Sequence, residues 1–400
     1  MHRHLLAILA LIPLLCCCKA QSGIPHTEDG HIVLDGVPQY FIGTNLWYAG
    51  RLAGSGSDAD IYALRAELDA LHALGVDNLR VLAAEGEDLD GIGRALDEMD
   101  RRGMKAVLFM GNAWEWSHGF ADYLEKAGAG TQPRPSTEGY SAYMQAMAAF
   151  STNKQAQQLN QDYIAGVVRR LRGHKAVFSW QICNEPRCFS DDPSVRDGFV
   201  QYIHSTAALI KSIDPLHMVS TGNEGAMGCE GDMDLCRRIN DCPDVDYITI
   251  HIWPYNWGWV SGDEVADGAA VAAEKVGKYI DDHLQMAEDL GKSVVIEEFG
   301  YPRDGFSFTP GSPVSGRDIV YKTVFDALIA SAARGGNLAG CNFWGWGGSV
   351  RPPHETWQEG DPYCGDPSQE AQGLNSVFNC DDSTVDLIRR SNQELFTKTH

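Results

Sequence analysis

The feature that most constrains this chain is an alternation of short β-branched, apolar runs with helical patterns, repeated eight times. Such an alternation builds a parallel sheet with helical crossovers, because parallel neighbours cannot be joined by a tight turn. The pattern predicts strands over 40–45, 78–83, 105–112, 177–184, 218–221, 247–251, 293–298 and 340–344. Helices are expected between them, for example over 60–74, 159–171 and 321–333. Leu64, Leu68, Leu71 and Leu74, spaced by three and four, form one apolar stripe. Eight strands suffice to close a barrel and so remove the sheet edges. The expectation is an α/β, (β/α)8 barrel occupying 21–400 as one domain, entered through a hairpin at His31–Leu34 with Asp35-Gly36 as its turn. An open doubly wound sheet would often carry a glycine-rich phosphate turn after its first strand, and Gly43-Thr44-Asn45 is not one. The stretch 349–383, rich in Pro, Gly, Asp and Glu, reads as a long loop on the upper face, pinned by Cys364 and Cys380.

Residues 1–20 read as a signal peptide: His2, Arg3 and His4 precede an apolar run over 5–15, too short to span a bilayer, and Ala20 offers a cut. Export, extracellular or periplasmic, follows. The alternative is a lipid anchor on Cys16, Cys17 or Cys18, for which Pro13-Leu14-Leu15 is a poor signal. Beyond the leader stand Cys183, Cys188, Cys229, Cys236, Cys242, Cys341, Cys364 and Cys380, an even set that permits disulfides without fixing their pairing. Spacings typical of a zinc site are absent, and no metal or cofactor is expected. With 32 Lys+Arg against 54 Asp+Glu, the net charge of −22 argues against nucleic acid and anionic membranes. Ten Trp and fourteen Tyr suit a neutral ligand with apolar faces. No protein partner is implied, and the chain is read as a monomer.

In a βα barrel the chemistry lies at the C-terminal strand ends. Several strands end there in groups an apolar core would not tolerate: Arg80, Asn112, Asn184-Glu185, Asn223-Glu224, His251 and Glu297-Glu298. Pro186 stops one strand and leaves Glu185 at the mouth. Two carboxylates facing one cavity are the usual minimum for glycoside hydrolysis, one protonated and one ionised. Strand alternation lets only one of Glu297 and Glu298 face the axis, and the pattern does not choose between them. A serine hydrolase would need a Gly-x-Ser-x-Gly elbow, which is missing from the strand-to-helix turns.

Ile182-Cys183-Asn184-Glu185-Pro186 and Ile296-Glu297-Glu298-Phe299-Gly300 resemble glycoside hydrolase family 5, a retaining family built on the TIM barrel. Similarity to its β-mannanase branch extends through Phe41–Tyr48, Asn78-Leu79-Arg80, Ser220–Gly225, His251-Ile252-Trp253-Pro254 and Asn342–Gly348. The resemblance implies Glu185 as acid/base and Glu298 as nucleophile. It also implies Asn184 on the sugar 2-hydroxyl, Arg80 orienting Glu298, His251 near the acid/base and Trp344 as a sugar platform. The family often has Tyr two residues after the His, donating to the nucleophile. This chain has Trp253 there, whose indole offers a donor of different geometry, with Tyr255 as a substitute. Trp114, Trp116, Trp47 and Trp346 join the candidate sugar contacts, and Glu224 is a third carboxylate for binding or support. The implied substrate is β-1,4-mannan, glucomannan or galactomannan, cut internally. An exo-acting β-mannosidase, a β-1,4-glucanase and a non-catalytic carbohydrate-binding protein are the alternatives. Loops 349–383 and 225–243 are the segments that would wall off a groove for exo action.

Overall fold

The computed structural model describes residues 22–399; the leader and the candidate lipidation cysteines lie outside them. Its main sheet has eight parallel strands: β1 (Phe41–Asn45), β2 (Asn78–Leu82), β3 (Lys105–Phe109), β4 (Val177–Gln181), β5 (Met218–Ser220), β6 (Ile248–Ile252), β7 (Val294–Phe299) and β8 (Leu338–Phe343). Ladders join them in the order β5-β4-β3-β2-β1-β8-β7-β6. The remaining seam, between β5 and β6, is laced by Asp246 N–H to Val219 O (2.8 Å), Thr249 Oγ1 to Asn223 O (2.8 Å) and His251 N–H to Glu224 O (3.2 Å). The expected barrel is therefore the observed one, nearly closed. Strand starts match the sequence expectation closely. Two strands, β3 and β4, stop three residues early, because the chain leaves the ladder where it begins to line the mouth, and the other ends agree to within one residue.

The three helices expected from the sequence are observed as Asp58–Ala73, Lys154–Leu171 and Ser315–Ala333, ending within one residue of the expectation and starting two, five and six residues earlier. Helix Asp58–Ala73 is capped by Ser57, whose hydroxyl accepts from Asp60 N–H, and it buries Leu64, Leu68 and Leu71 against the barrel. The bottom of the barrel is filled by Val107, Phe178, Met218, Tyr247, Val295 and Ala339. Ile32 plugs it, carried by the N-terminal hairpin (His26–Glu28, His31–Leu34 and Val37–Pro38). Asp29-Gly30 and Asp35-Gly36 all have positive φ, as tight hairpin turns that follow strand twist require. Among the described residues no helix is long and apolar enough to cross a membrane.

The long loop is ordered without the expected cross-link, and all eight described cysteines are free thiols. Cys364 is buried and its Sγ faces Gln372 Oε1 (3.3 Å), whereas half-buried Cys380 lies beside Gly311, so the two thiols face different neighbours. Buried arginines hold the loop instead. Arg303 grips Asp381 through two 2.7 Å bonds, and Arg317 donates to the carbonyls of Ser376 (3.0 Å) and Leu374 (2.9 Å).

Candidate active site

The mouth of the barrel is organised around one buried cation. Arg80, the middle residue of β2, is fully buried and donates to Glu298 Oε1 (2.5 Å), Asn45 Oδ1 (3.1 Å), Asn184 Oδ1 (2.8 Å) and Gln181 Oε1 (2.8 Å). Its guanidinium lies 4.3 Å from the centroid of Phe109. A buried charge is tolerable only when its donors are satisfied, and here acceptors on or just beyond three strands, β1, β4 and β7, satisfy them.

Glu185 reaches the mouth through a strained extension of β4. Its N–H bonds Gly222 O (3.0 Å) and its φ is +48°, in the left-handed region that only a surrounding lattice of contacts enforces on such a residue. Gly222 permits this crossing, since a Cβ there would stand 1.8 Å from Cys183 O. Glu185 Oε2 accepts from Trp114 Nε1 (2.5 Å) and Oε1 lies 2.9 Å from His251 Nδ1.

Both glutamates at the end of β7 point inward, contrary to strict alternation. The β7–β6 register shifts between Ile296 and Glu298, so Glu297 is bulged and Glu298 aligns with His251. Glu297 lies in the barrel interior, accepting from Tyr247 Oη (2.9 Å) and Asn342 Nδ2 (3.0 Å). Glu298 stays at the mouth, where Oε2 accepts from Trp253 Nε1 (3.1 Å) and lies 3.3 Å from His251 Nδ1. Trp253 thus supplies the donor directly, while Tyr255 packs on Phe306 with ring centroids 4.8 Å apart.

One oxygen of Glu185, one of Glu298 and His251 Nδ1 lie within 4.8 Å of one another. Burial first, and Arg80 second, hold the imidazole well below its usual pKa, so the ring is neutral. Its proton sits on Nδ1, which faces both carboxyls, whereas buried Nε2 has no partner. These three groups also form the sole cluster of metal-ligating type found among the described residues. With its proton on Nδ1 the ring turns no lone pair towards the carboxyls, and Arg80 already neutralises Glu298. Burial raises both carboxyls above their ordinary range; Arg187 leads the opposition at Glu185, and Arg80 at Glu298. The two titrate as a pair. With a guanidinium 2.5 Å from Glu298, the negative charge settles there and the proton on Glu185.

Of the other expected contacts, Asn184 donates Nδ2 to Asn112 Oδ1 (3.1 Å) and faces the mouth beside Arg80. Trp344 packs edge-on to Trp253 (5.8 Å), and its buried Nε1 has no partner in the protein. The Trp344-Gly345 peptide is cis. Trp114 is partly exposed and stacks on Tyr143 (6.2 Å). Trp116 packs edge-on to Trp47 (6.1 Å).

Two tryptophans serve differently from expectation. Trp47 is 2% exposed and donates to Gly365 O (3.1 Å), and Trp346 is 1% exposed and donates to Glu67 Oε2 (2.7 Å). Their faces are covered, so they seat the long loop and the β8 extension rather than present a platform. Glu224 is buried in a two-bond pair with Arg187 (2.5 and 2.7 Å).

Sequence reasoning passed over Arg187, although its place two residues after Glu185 was a signal: its guanidinium sits over Trp114, 5.5 Å from the centroid. It also passed over Glu370. Burial, then Asp366 and Glu185, push this carboxyl up to about 8, which puts the long loop within electrostatic reach of the mouth.

A family model described as GH family 5 beta-mannosidase-like matches residues 24–90 and 86–400. Mannan endo-1,4-beta-mannosidase 7 of Arabidopsis thaliana is 26% identical over 379 residues, 85% of this chain and 83% of the relative. Mannan endo-1,4-beta-mannosidase A of Aspergillus aculeatus is 26% identical over 317 residues, covering 70% and 74%. The crystal structure of a family 5 mannosidase from Rhizomucor miehei superposes with a TM-score of 0.84 at 28% identity, covering 94% of this chain and 98% of that one. A mutant of that enzyme has been solved with mannosyl-fructose and gives 0.83 at 27%, with the same coverage.

Proposed function

The chain belongs to glycoside hydrolase family 5, in its β-mannosidase-like group, and from that premise we propose that it cleaves β-1,4-mannosidic bonds by double displacement with retention. Glu185 protonates the departing glycosidic oxygen while Glu298 attacks the anomeric carbon. Glu185 then takes a proton from water, which displaces the sugar from Glu298. The observation that carries this reading is the approach of the two carboxyls, with oxygens within 4.8 Å. Retaining pairs stand roughly 5–5.5 Å apart, whereas inverting pairs need about 6.5–9.5 Å to admit water. Arg80 keeps the nucleophile charged, and Trp114 and His251 orient the acid. Trp344, itself only 3% exposed, brings to the mouth an indole edge with an unspent N–H for a sugar hydroxyl. The substrate in view is mannan, the polysaccharide in the names of the Arabidopsis and Aspergillus relatives, with glucomannan and galactomannan as further chains that contain β-1,4-mannosidic bonds. Following the anomeric proton during hydrolysis of a manno-oligosaccharide tests the reaction: β-product first supports it, and α-product first overturns it.

A second reading, exo action, is favoured by Glu370. Residues 349–381 lean on Trp47 and Gly345, and Gln372 Nε2 fixes the turn through the carbonyls of Asp366 (3.1 Å), Pro367 (2.9 Å) and Glu370 (3.1 Å). Such a loop, held in place by these bonds and with the Glu370 carboxyl within electrostatic reach of Glu185, would narrow a groove towards a pocket. Mannose alone at early times from mannohexaose supports exo action; mixed mannobiose and mannotriose support endo action. The leader-like residues 1–20 support export of the mature chain, which we read as a monomer.

A further inference from the structure

The proposed reaction uses none of the cysteines, yet three gather behind the acid/base strand. Cys188 follows Arg187, Cys229 ends the turn Met227–Cys229, and Cys236 lies in helix Met233–Asn240; all three are buried. The chain between Cys229 and Cys236 turns tightly. Glu230 and Gly231 both have positive φ, Asp232 N–H bonds Cys229 O (2.9 Å), and Asp232 caps the helix through Asp234 N–H (2.9 Å) and Leu235 N–H (3.1 Å). Cys236 N–H bonds Asp232 O (3.1 Å), which turns the helix back towards Cys229, and the two buried thiols lie close enough to perturb each other's ionisation. Cys188 lies close by, but its Sγ is directed at Ser190 O (3.4 Å). Cys183 and Cys341 stand apart in the strand region.

We propose that Cys229 and Cys236 are a disulfide site, closed when the chain folds in an oxidising compartment. The oxidant is a small or protein disulfide of the glutathione or dithiol-oxidase class. The Cys236 thiolate attacks one of its sulfurs and releases the other as a thiol, and the Cys229 thiolate then attacks Cys236 Sγ in the mixed disulfide and displaces the remaining oxidant sulfur as a second thiol. One S–S bond forms in the protein, and two electrons and two protons leave on the oxidant as two thiols. Cys236 is suited to the attacking role: the Cys229 thiol first, then His283 and Asn240, lower it to about 6, against the opposing effect of burial. The bond would close a ring directly beneath Asn223. That side chain accepts from Cys229 Sγ (3.6 Å) and donates to Pro186 O (2.7 Å) and Gly228 O (3.0 Å). The cross-link would thereby brace the residue that follows Glu185.

The test is a cysteine census on the exported full chain, alkylated in denaturant without reductant and then digested. A repeat on protein refolded in a glutathione redox buffer makes the result independent of export. The expected outcome is six of the eight described cysteines alkylated and a linked peptide joining Cys229 to Cys236. Reductant should lower the melting temperature by about 2–4 °C, the loop-entropy effect expected for so short a ring in a chain of this size. Cys236→Ser should expose Cys229 to alkylation and abolish the reductant effect. Eight alkylated cysteines under both conditions, or a link between Cys188 and Cys229, would overturn the proposal. Since the wild-type census decides by itself, a variant that fails to fold does not obscure the outcome.

Discussion

Trp253→Phe isolates one bond at the proposed nucleophile. The indole N–H donates to Glu298 Oε2 at 3.1 Å, while the ring packs on Trp344 and against Gly300, where a Cβ would come within 2.4 Å of a ring carbon. Phe keeps most of that packing and deletes the donor. A hydrogen bond to a charged group contributes about 1.5–3 kcal/mol. If the reaction needs Glu298 ionised and aimed, kcat/KM should therefore fall roughly 10- to 150-fold. The bond favours the charged carboxylate, so its loss raises the Glu298 pKa, and the acid limb of the kcat/KM profile should move to higher pH. Trp253→Tyr, which restores an O–H on a shorter ring, should recover part of both effects. The assay is initial-rate kinetics on an aryl β-mannoside across pH. A Phe variant as active as wild type, or a slower one whose acid limb stays in place, would refute the role given to this donor.

Glu185→Gln should cost about 10²–10⁴ in rate on manno-oligosaccharides, far less on substrates with an activated aryl leaving group, and azide should restore turnover as a glycosyl azide. Glu370→Gln tests the long loop through linkage. A carboxyl raised to about 8 in the folded state holds a proton that the unfolded chain has released above its ordinary pKa, so the wild type loses stability as pH rises towards 8. The Gln variant should melt higher than wild type at pH 8 and alike at pH 4, by scanning calorimetry. Asp381→Asn breaks a fully buried pair with Arg303. It should destabilise by about 3–5 kcal/mol and make the 349–381 segment the first site of limited proteolysis.

What the sequence disclosed and what it withheld divide along a physical line. Periodicity and strand-end polarity are local, so eight strands, Arg80, Glu185 and His251 were legible before any coordinates. Residue type at Trp253 left the donor open between its indole and Tyr255, and only the 3.1 Å bond to Glu298 decides for the indole. The identity of tryptophan likewise does not say which of its surfaces is spent. Trp47 and Trp346 lie in motifs as suggestive as that of Trp344, and all three are buried, yet the first two give their N–H to the scaffold while that of Trp344 has no partner in the protein. Glu297 and Glu298 were undecidable from alternation because alternation itself fails there: the bulge costs one ladder position and gains two inward carboxyls. The interior one is paired with Tyr247 and Asn342, so it serves the core and leaves Arg80 free to neutralise the other. That division gives the bulge its purpose. A regular β7 would direct one glutamate away from the barrel, and the cation at its mouth would then face either a nucleophile with no support below it or a supporting carboxylate with no nucleophile.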